Sequence, residues 1–482
     1  MDLFQPPYPR YSPQNKESFA YTTLIKRWPS ILTNIISTLS NETHKLHSSH
    51  DVNSEEKLEE GKKMIETLAL LIYEMGHGGE LTPLEDDHEP NISCYNDELS
   101  LWSPLQRKWT HANWLFAECY LYRRIRQVFS LTRHWRSFDP FFYQKEDTYR
   151  SSLGAIVHLA QALNSMVERS DLQDGYEDAS SPLEMAFLEM IQSDLWGNAT
   201  DLSLLVDLKY EDLKQLQAVG AKAQAEQAKL ILRNDLPKVW EHLKTLREAR
   251  VDVVLDNAGF ELYTDLILAD FFVSCTPFVN EVVFHPKSIP WFVSDVVPFD
   301  FTWAIDILLD ESFFSTASPP PTPTELESLA VLATRWKGHL ASGAFKLSVP
   351  LDTPLGGDTP TGGFWTTQYA YQDMPLVAPK LVEELGKSGL VIFKGDLNYR
   401  KWVFPAVSHQ SPQSSAGDPE MNVPIMLVHF TLDPFKPASQ KSELPLIGDA
   451  AWPPTTPFDT ALGPLAGTMN LVSLRTNKAD TM

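Results

Sequence analysis

The apolar residues of this chain change their spacing near residue 251, and no other feature constrains the fold as strongly. Through much of residues 17–250 they recur at intervals of three and four with charge on the other face, as in "NWLFAECYLYRRIRQVF" from Asn113 and "YEDLKQLQAVGAKAQAEQAKLIL" from Tyr210. That spacing predicts amphipathic helices. From residue 251 short β-branched runs take over: "VDVVLD", "EVVFH", "WFVSDVV", "FKLSVPL", "GLVIFKG" and "NLVSL", separated by loops and helical segments. Strands alternating with helices predict an α/β sheet with covered faces. The chain therefore reads as a mainly helical N-terminal domain over 15–240 and an α/β domain over 241–482. A polar, Pro- and Ser-rich insertion at about 403–450 is expected to be a surface excursion between the last two strands.

Composition excludes several classes. A chain of 482 residues with 43% hydrophobic and 11% aromatic content can bury a large core. Its formal charge of -23 works against a general nucleic-acid binder, whose affinity rests on clustered Lys and Arg. The start, "MDLFQPPYPRY", lacks a basic and an apolar segment in succession, and no apolar run approaches the ~20 residues needed to span a bilayer. Cys94, Cys119 and Cys275 stand far apart, which fits a reducing compartment, here cytoplasmic or also nuclear. In that setting the sequons at Asn41, Asn91 and Asn198 are chance matches.

Four strand ends carry polar clusters. "VDVVLD" leads to Asp256 and Asn257, "WFVSD" to Asp295, "GLVIFKGDLNYRK" to Asp396, Asn398, Arg400 and Lys401, and "NLVSLRTNKAD" to Arg475 and Lys478. In open α/β sheets ligands bind beyond the carboxyl ends of the strands. Oxygen donors from Asp and Asn suit a hard divalent cation, and Arg and Lys beside it suit phosphate. Together they point to phosphoryl chemistry. Any single Asp after a strand is more often a helix cap or turn former, so the combination carries the weight. Lys287, between two strand runs, is a candidate phosphate contact. Glu261 falls in a first helical turn, where the macrodipole alone stabilises an acid. Asp265 and Asp270 are expected to be solvated or locally paired.

Other signals read as structural. His44, His47 and His50 sit among Ser and polar residues and are expected in a flexible loop rather than at a metal. The run "EDDHE" reads as a solvated loop, and "PLGGDTPTGG" as a mobile loop rather than a dinucleotide fingerprint, since no strand leads into it. Thr324 and Glu327 have capping-box spacing at the start of a helix.

The segments "VDVVLDNAGFELYTDLILADF", "GDLNYRK" and "RTNKAD" resemble the signature segments of the damage-control phosphatases, metal-dependent enzymes that hydrolyse damaged or reactive phosphometabolites. The likeness extends to "ESFAYTTLIKRWPSILT", "NWLFAECYLYRRI", "FDPFFYQK" and "LWGNATDLSLL" in the helical half. The Arg-Thr-x-Lys motif, Arg475 to Lys478, is similar to that of the branch acting on sugar phosphates, a relative of which is also described as a carboxyl methyltransferase of acidic residues.

This resemblance implies a helical region packed on a Rossmann-like three-layer α/β/α core. It implies metal binding (Mn²⁺, Co²⁺, Ni²⁺ or Mg²⁺) by Asp256, Asn257 and Asp295, and catalytic roles for Asp256, Asn257 and Lys478. It implies contacts to sugar phosphates such as fructose 1-phosphate and fructose 6-phosphate from Asp256, Asn257, Glu261, Asp396, Leu397, Asn398, Tyr399, Arg400, Arg475 and Lys478. Glu261 is also the position that the branch links to S-adenosylmethionine. Whether water or the Asp256 carboxylate attacks phosphorus is open at this level. Two other readings stay open beside it: an S-adenosylmethionine-dependent methyltransferase of protein glutamates and a non-catalytic binding protein. Oligomeric state is not legible.

Overall fold

The computed structural model describes residues 3, 10–16, 18–47, 54–178, 180–197, 231–233, 235–315, 317, 319–403, 425–430 and 469–474. It is a mixed α/β protein with a helical N-terminal region and a sheet flanked by helices. Among the described residues seven strands, β1 (Ile231–Arg233), β2 (Ala249–Val254), β3 (Val279–His285), β4 (Phe345–Leu347), β5 (Leu390–Lys394), β6 (Ile425–Phe430) and β7 (Met469–Leu474), pair in the order β1-β7-β6-β5-β2-β3-β4. Strands β5, β2, β3 and β4 form a parallel block, and β6, β7 and β1 extend it in antiparallel pairs. Two reversals leave β7 running in the direction of β2, so both end on the same edge.

Strand β2 is central, between β5 and β3, and its valines Val251, Val253 and Val254 are buried. A central strand is packed on both faces, so an acid there needs partners. Asp252 has them: Arg250 holds both its oxygens (2.8 and 2.7 Å), and His285 Nε2 lies 2.7 Å from Oδ1.

The run "WFVSDVV" is not a strand. Phe292 and Val293 have positive φ (42° and 73°), and the chain turns so that Asp295 N donates to Trp291 O at 3.1 Å. Trp291 and Phe292 are buried because they pack on Tyr122 of the helix Trp114–Ser130, whereas Val296 is buried in the core around the sheet without joining it as a strand. A short apolar run does not reveal which of the two buries it. Conversely, part of the supposed surface excursion, Ile425–Phe430, is the strand β6 that pairs with β5 and β7.

Several local expectations change. The second expected helix lies outside the described residues through residue 230, and Ile231 and Leu232 belong to β1. His44 lies in a helix, Trp28–His47, which also includes position 47; position 50 is outside the described residues. The helix Pro323–Ser342 is capped two residues earlier than expected: Thr322 and Glu325 form the capping box. Pro323 explains the shift, since proline favours the first helical position and leaves the cap to the residue before it. The segment "PLGGDTPTGG" is tied down: Gly356 N donates to Ser288 O (2.7 Å), Arg126 Nη2 to Leu355 O (3.2 Å) and Asn91 Nδ2 to Gly363 O (2.7 Å).

Buried apolar side chains gather in two clusters. One surrounds the sheet and includes the helices Leu153–Glu168, Pro182–Gly197 and Phe260–Asp270. The other is built by the helices Trp28–His47, Ser54–Gly76 and Trp114–Ser130. Into this second cluster reach Ile289, Trp291, Phe292 and Val293 from the loop after β3, and Leu397 from the helix after β5. Those two segments carry Asp295 and Asp396, so candidate site residues lie where the clusters meet.

Candidate functional site at the carboxyl edge of the sheet

Strand β2 delivers Asp256 and Asn257, and Gly259 then turns the chain into the helix Phe260–Asp270. The loop after β3 returns alongside. Asn257 and Asp295 form an isolated antiparallel bridge, Val296 N donates to Asp256 O (2.8 Å), and Ala258 N donates to Ser294 O (2.6 Å). The structure thereby brings Asp256, Asn257 and Asp295 together, all three buried.

Their side chains are connected. Asn257 Nδ2 donates to Asp256 Oδ2 and to Glu261 Oε2, both at 2.7 Å, while Ser294 Oγ donates to Asn257 Oδ1 at 2.5 Å. Lys287 Nζ donates to Leu255 O (2.6 Å) and lies 3.4 Å from Asp295 Oδ2. Lys287 thus meets the acid cluster directly rather than from a distance. Tyr371 faces the same group: burial first, then the Asp295 and Asp256 carboxylates, push its phenol well above the ordinary range. It stays a donor, to Asn398 Oδ1.

The second wall follows β5. Gly395 has φ +79°, and a Cβ there would run into the carboxylate of Asp256. Only glycine allows the backbone after β5 to approach that closely. In the helix Gly395–Val403, Asp396 pairs with Arg400, whose guanidinium lies 5.0 Å from the Trp114 ring centroid. Burial raises the Asp396 carboxyl, against the pull of Arg400 and Arg27. Asn398 serves the scaffold: its Nδ2 donates to Lys394 O (2.6 Å) and Val254 O (3.3 Å), joining the ends of β5 and β2. Leu397 packs in the helical cluster and Tyr399 against the sheet cluster. Lys401, buried, donates to Thr367 O at 2.5 Å. Arg475 and Lys478 lie outside the described residues, although β7, which precedes them, ends on this edge.

Glu261 is buried, and so are Asp265 and Asp270, which were expected to be solvated or locally paired and instead pair with residues far along the chain. Asp270 is held by Arg335 Nε (2.8 Å) and Trp336 Nε1 (2.9 Å) from the helix Pro323–Ser342. Asp265 and Glu261 converge with Asp194 on Lys394, at 2.7, 3.3 and 2.7 Å from its Nζ. Burial pushes the Asp265 carboxyl well up, with Lys394 opposing. Burial alone would lower the Lys394 ammonium, but Asp194, Asp265 and Glu261 together raise it well above its ordinary value. Sequence reading missed Lys394; its one signal was a lysine closing the apolar run "LVIFK".

Among the described residues no group of three or more His, Cys, Asp and Glu is arranged to hold a metal ion. The set Asp256, Asn257 and Asp295 has two carboxylates and an amide, oxygen donors that fit a hard divalent ion retaining water or substrate oxygens. Among the described residues no helix is long and apolar enough to cross a membrane.

A buried set of acids and an amide, opposed by lysine at the carboxyl edge of a parallel block, defines an α/β protein with a sheet-edge polar site. The family model described as the damage-control phosphatase ARMT1-like domain matches residues 23–404, and the chain belongs to that family. It is 32% identical over 428 residues to damage-control phosphatase ARMT1 of Mus musculus, covering 83% of this chain and 86% of that protein. Against the protein of the same name from Danio rerio it is 32% identical over 397 residues, 80% of each chain. A crystal structure of a DUF89 family protein from Pyrococcus horikoshii aligns with 80% of this chain and 87% of its own at 14% identity and a TM-score of 0.37, too low to bear on the fold.

Proposed function

We propose that this protein is a divalent-metal-dependent phosphatase of sugar phosphates, fructose 1-phosphate and fructose 6-phosphate among them. The observation that carries the reading is the bridge between Asn257 and Asp295, which aligns two buried carboxylates and an amide from separate segments next to Lys287. In this reading Asp256, Asn257 and Asp295 hold one Mn²⁺, Co²⁺, Ni²⁺ or Mg²⁺. Bound there, such an ion polarises the phosphoryl oxygens and lowers the pKa of water. Arg400, fixed by Asp396 and Trp114, and Lys478, on the segment after β7, grip phosphate oxygens. Burial of the acids keeps their charge unscreened, which strengthens their hold on a cation.

The test is release of inorganic phosphate from both fructose phosphates and from p-nitrophenyl phosphate, with each metal and with a chelator. Metal-dependent release that disappears in Asp256→Asn is expected. Equal turnover in chelator would overturn the metal assignment, and transfer of label from a methyl donor without phosphate release would overturn the phosphatase.

A further inference from the structure

Lys394 ends β5, a strand whose other residues are apolar and buried. A leucine would satisfy the packing, yet a lysine sits there with no solvent exposure and three carboxylates within 3.3 Å. Burying such a group is costly, and apolar replacement of buried ion clusters is often neutral or stabilising. The cluster therefore calls for an explanation beyond stability.

Two of the carboxylates anchor the lysine from the helices Pro182–Gly197 and Phe260–Asp270. Gly197 lets these helices meet, since a Cβ there would strike Thr264. The third, Glu261, looks both ways: Oε1 faces Lys394, and Oε2 accepts from Asn257 Nδ2. Asn257 Nδ2 is thus held between two carboxylate oxygens, those of Glu261 and Asp256. A flipped amide would turn its own oxygen onto both, leaving three acceptors without a proton among them. The Glu261 carboxyl oxygen, together with that of Asp256, consequently fixes which end of the Asn257 amide faces the acids and leaves Oδ1 beside Ser294. For an oxygen-seeking cation that choice decides whether Asn257 offers a ligand or an N–H₂ group.

We propose that Lys394 is a positioning residue of this site, fixing Glu261 and through it the orientation of the Asn257 amide, so that Asn257 presents oxygen to a divalent cation. The proposal rests on the metal-dependent reading above. Its scale is that of outer partners of metal ligands, whose loss weakens metal affinity about 10- to 100-fold.

The test measures Mn²⁺ affinity of the purified full chain by titration calorimetry, alongside the melting temperature without metal. Asp194→Leu/Asp265→Met leaves one ammonium facing Glu261 and is expected to bind Mn²⁺ as the wild type does. Adding Lys394→Met to that pair is expected to weaken binding about 10- to 100-fold, with a melting temperature like that of the double variant. Adding Lys394→Arg instead should restore much of the affinity. Glu261→Leu, which leaves Lys394 with Asp194 and Asp265, breaks the same link from the other side and should match the loss if the triple variant fails to fold. Wild-type affinity in the Lys394→Met triple variant or in Glu261→Leu overturns the proposal, as does an equal loss in the double and triple variants. No Mn²⁺ binding by the wild type overturns the metal reading itself, and the inference with it.

Discussion

Two sets of buried acids in this molecule are held in different ways. In the helical region, Asp87 takes a two-pronged pair from Arg123 (2.8 Å twice), and Glu89 takes one from Arg126 (2.9 and 2.5 Å). Each acid there has its own arginine, in the fork geometry that satisfies a carboxylate. At the sheet edge three acids converge on Lys394, and Asp295 meets Lys287 only at 3.4 Å. Matched charge of the first kind closes a structure and asks for nothing more. Crowded carboxylates of the second kind repel one another unless a cation lies among them, and clusters of this kind are more frequent at functional sites than elsewhere.

That contrast can be broken most directly at Asp256. Asp256→Asn is expected to reduce phosphate release from p-nitrophenyl phosphate at least about 10³-fold, the order of charge-stabilising groups in phosphoryl transfer, while the urea midpoint changes little. A large loss of stability instead would place Asp256 with the structural acids. Arg123→Met should do the reverse: leaving Asp87 uncompensated costs about 3–5 kcal/mol in urea unfolding, with turnover per folded molecule unchanged. Lys478→Ala should cost about 10²- to 10³-fold in turnover if that ammonium stabilises the phosphoryl group. Gly395→Ala should cost about 10²-fold in turnover, because the added methyl displaces Asp256, with a small drop in melting temperature from the positive φ.

The smallest effect is one of pH, and it separates Asp87 from Asp300, a buried acid paired with Lys145 that belongs to neither set. At Asp87 burial acts upward, but hydrogen bonds from Arg123 and Ser130 outweigh it and hold the carboxyl below its ordinary 3.8. Its stabilisation is complete above that value and lost as pH falls through the lower native one. At Asp300, whose carboxylate accepts from Lys145 (2.7 Å), burial outweighs the lysine and pushes the carboxyl up to about 6. Its share is complete below 3.8 and lost as pH rises through about 6. Melting curves should therefore show Asp87→Asn flattening the acid limb below pH 3.8, and Asp300→Asn flattening the slope between 3.8 and about 6.

The run "EDDHE" shows why the first set escaped sequence reading. Acids in a polar loop look solvated, and nothing local announces that Arg123 and Arg126, one helical turn apart, will lie over them. Asp265 and Asp270 escaped for the same reason, since their partners lie on β5 and on the helix Pro323–Ser342. Asp295 was found as a candidate at the end of an apolar run, yet its setting was misread, because such a run is buried equally well by a sheet and by a neighbouring helical cluster.

What the sequence alone determined is the local grammar: the helix Trp114–Ser130, the strands around "VDVVLD" and "GLVIFKG", and the turn that places an acid and an amide after β2. These depend on periodicity and on residues a few positions apart. Tertiary structure alone decided that Asn257 meets Asp295, that Gly395 leaves room for Asp256, and that Glu261 lies between Asn257 and Lys394. Those contacts join residues far apart in the chain, and the energy of a buried charge depends on what packs around it, which no window of sequence contains.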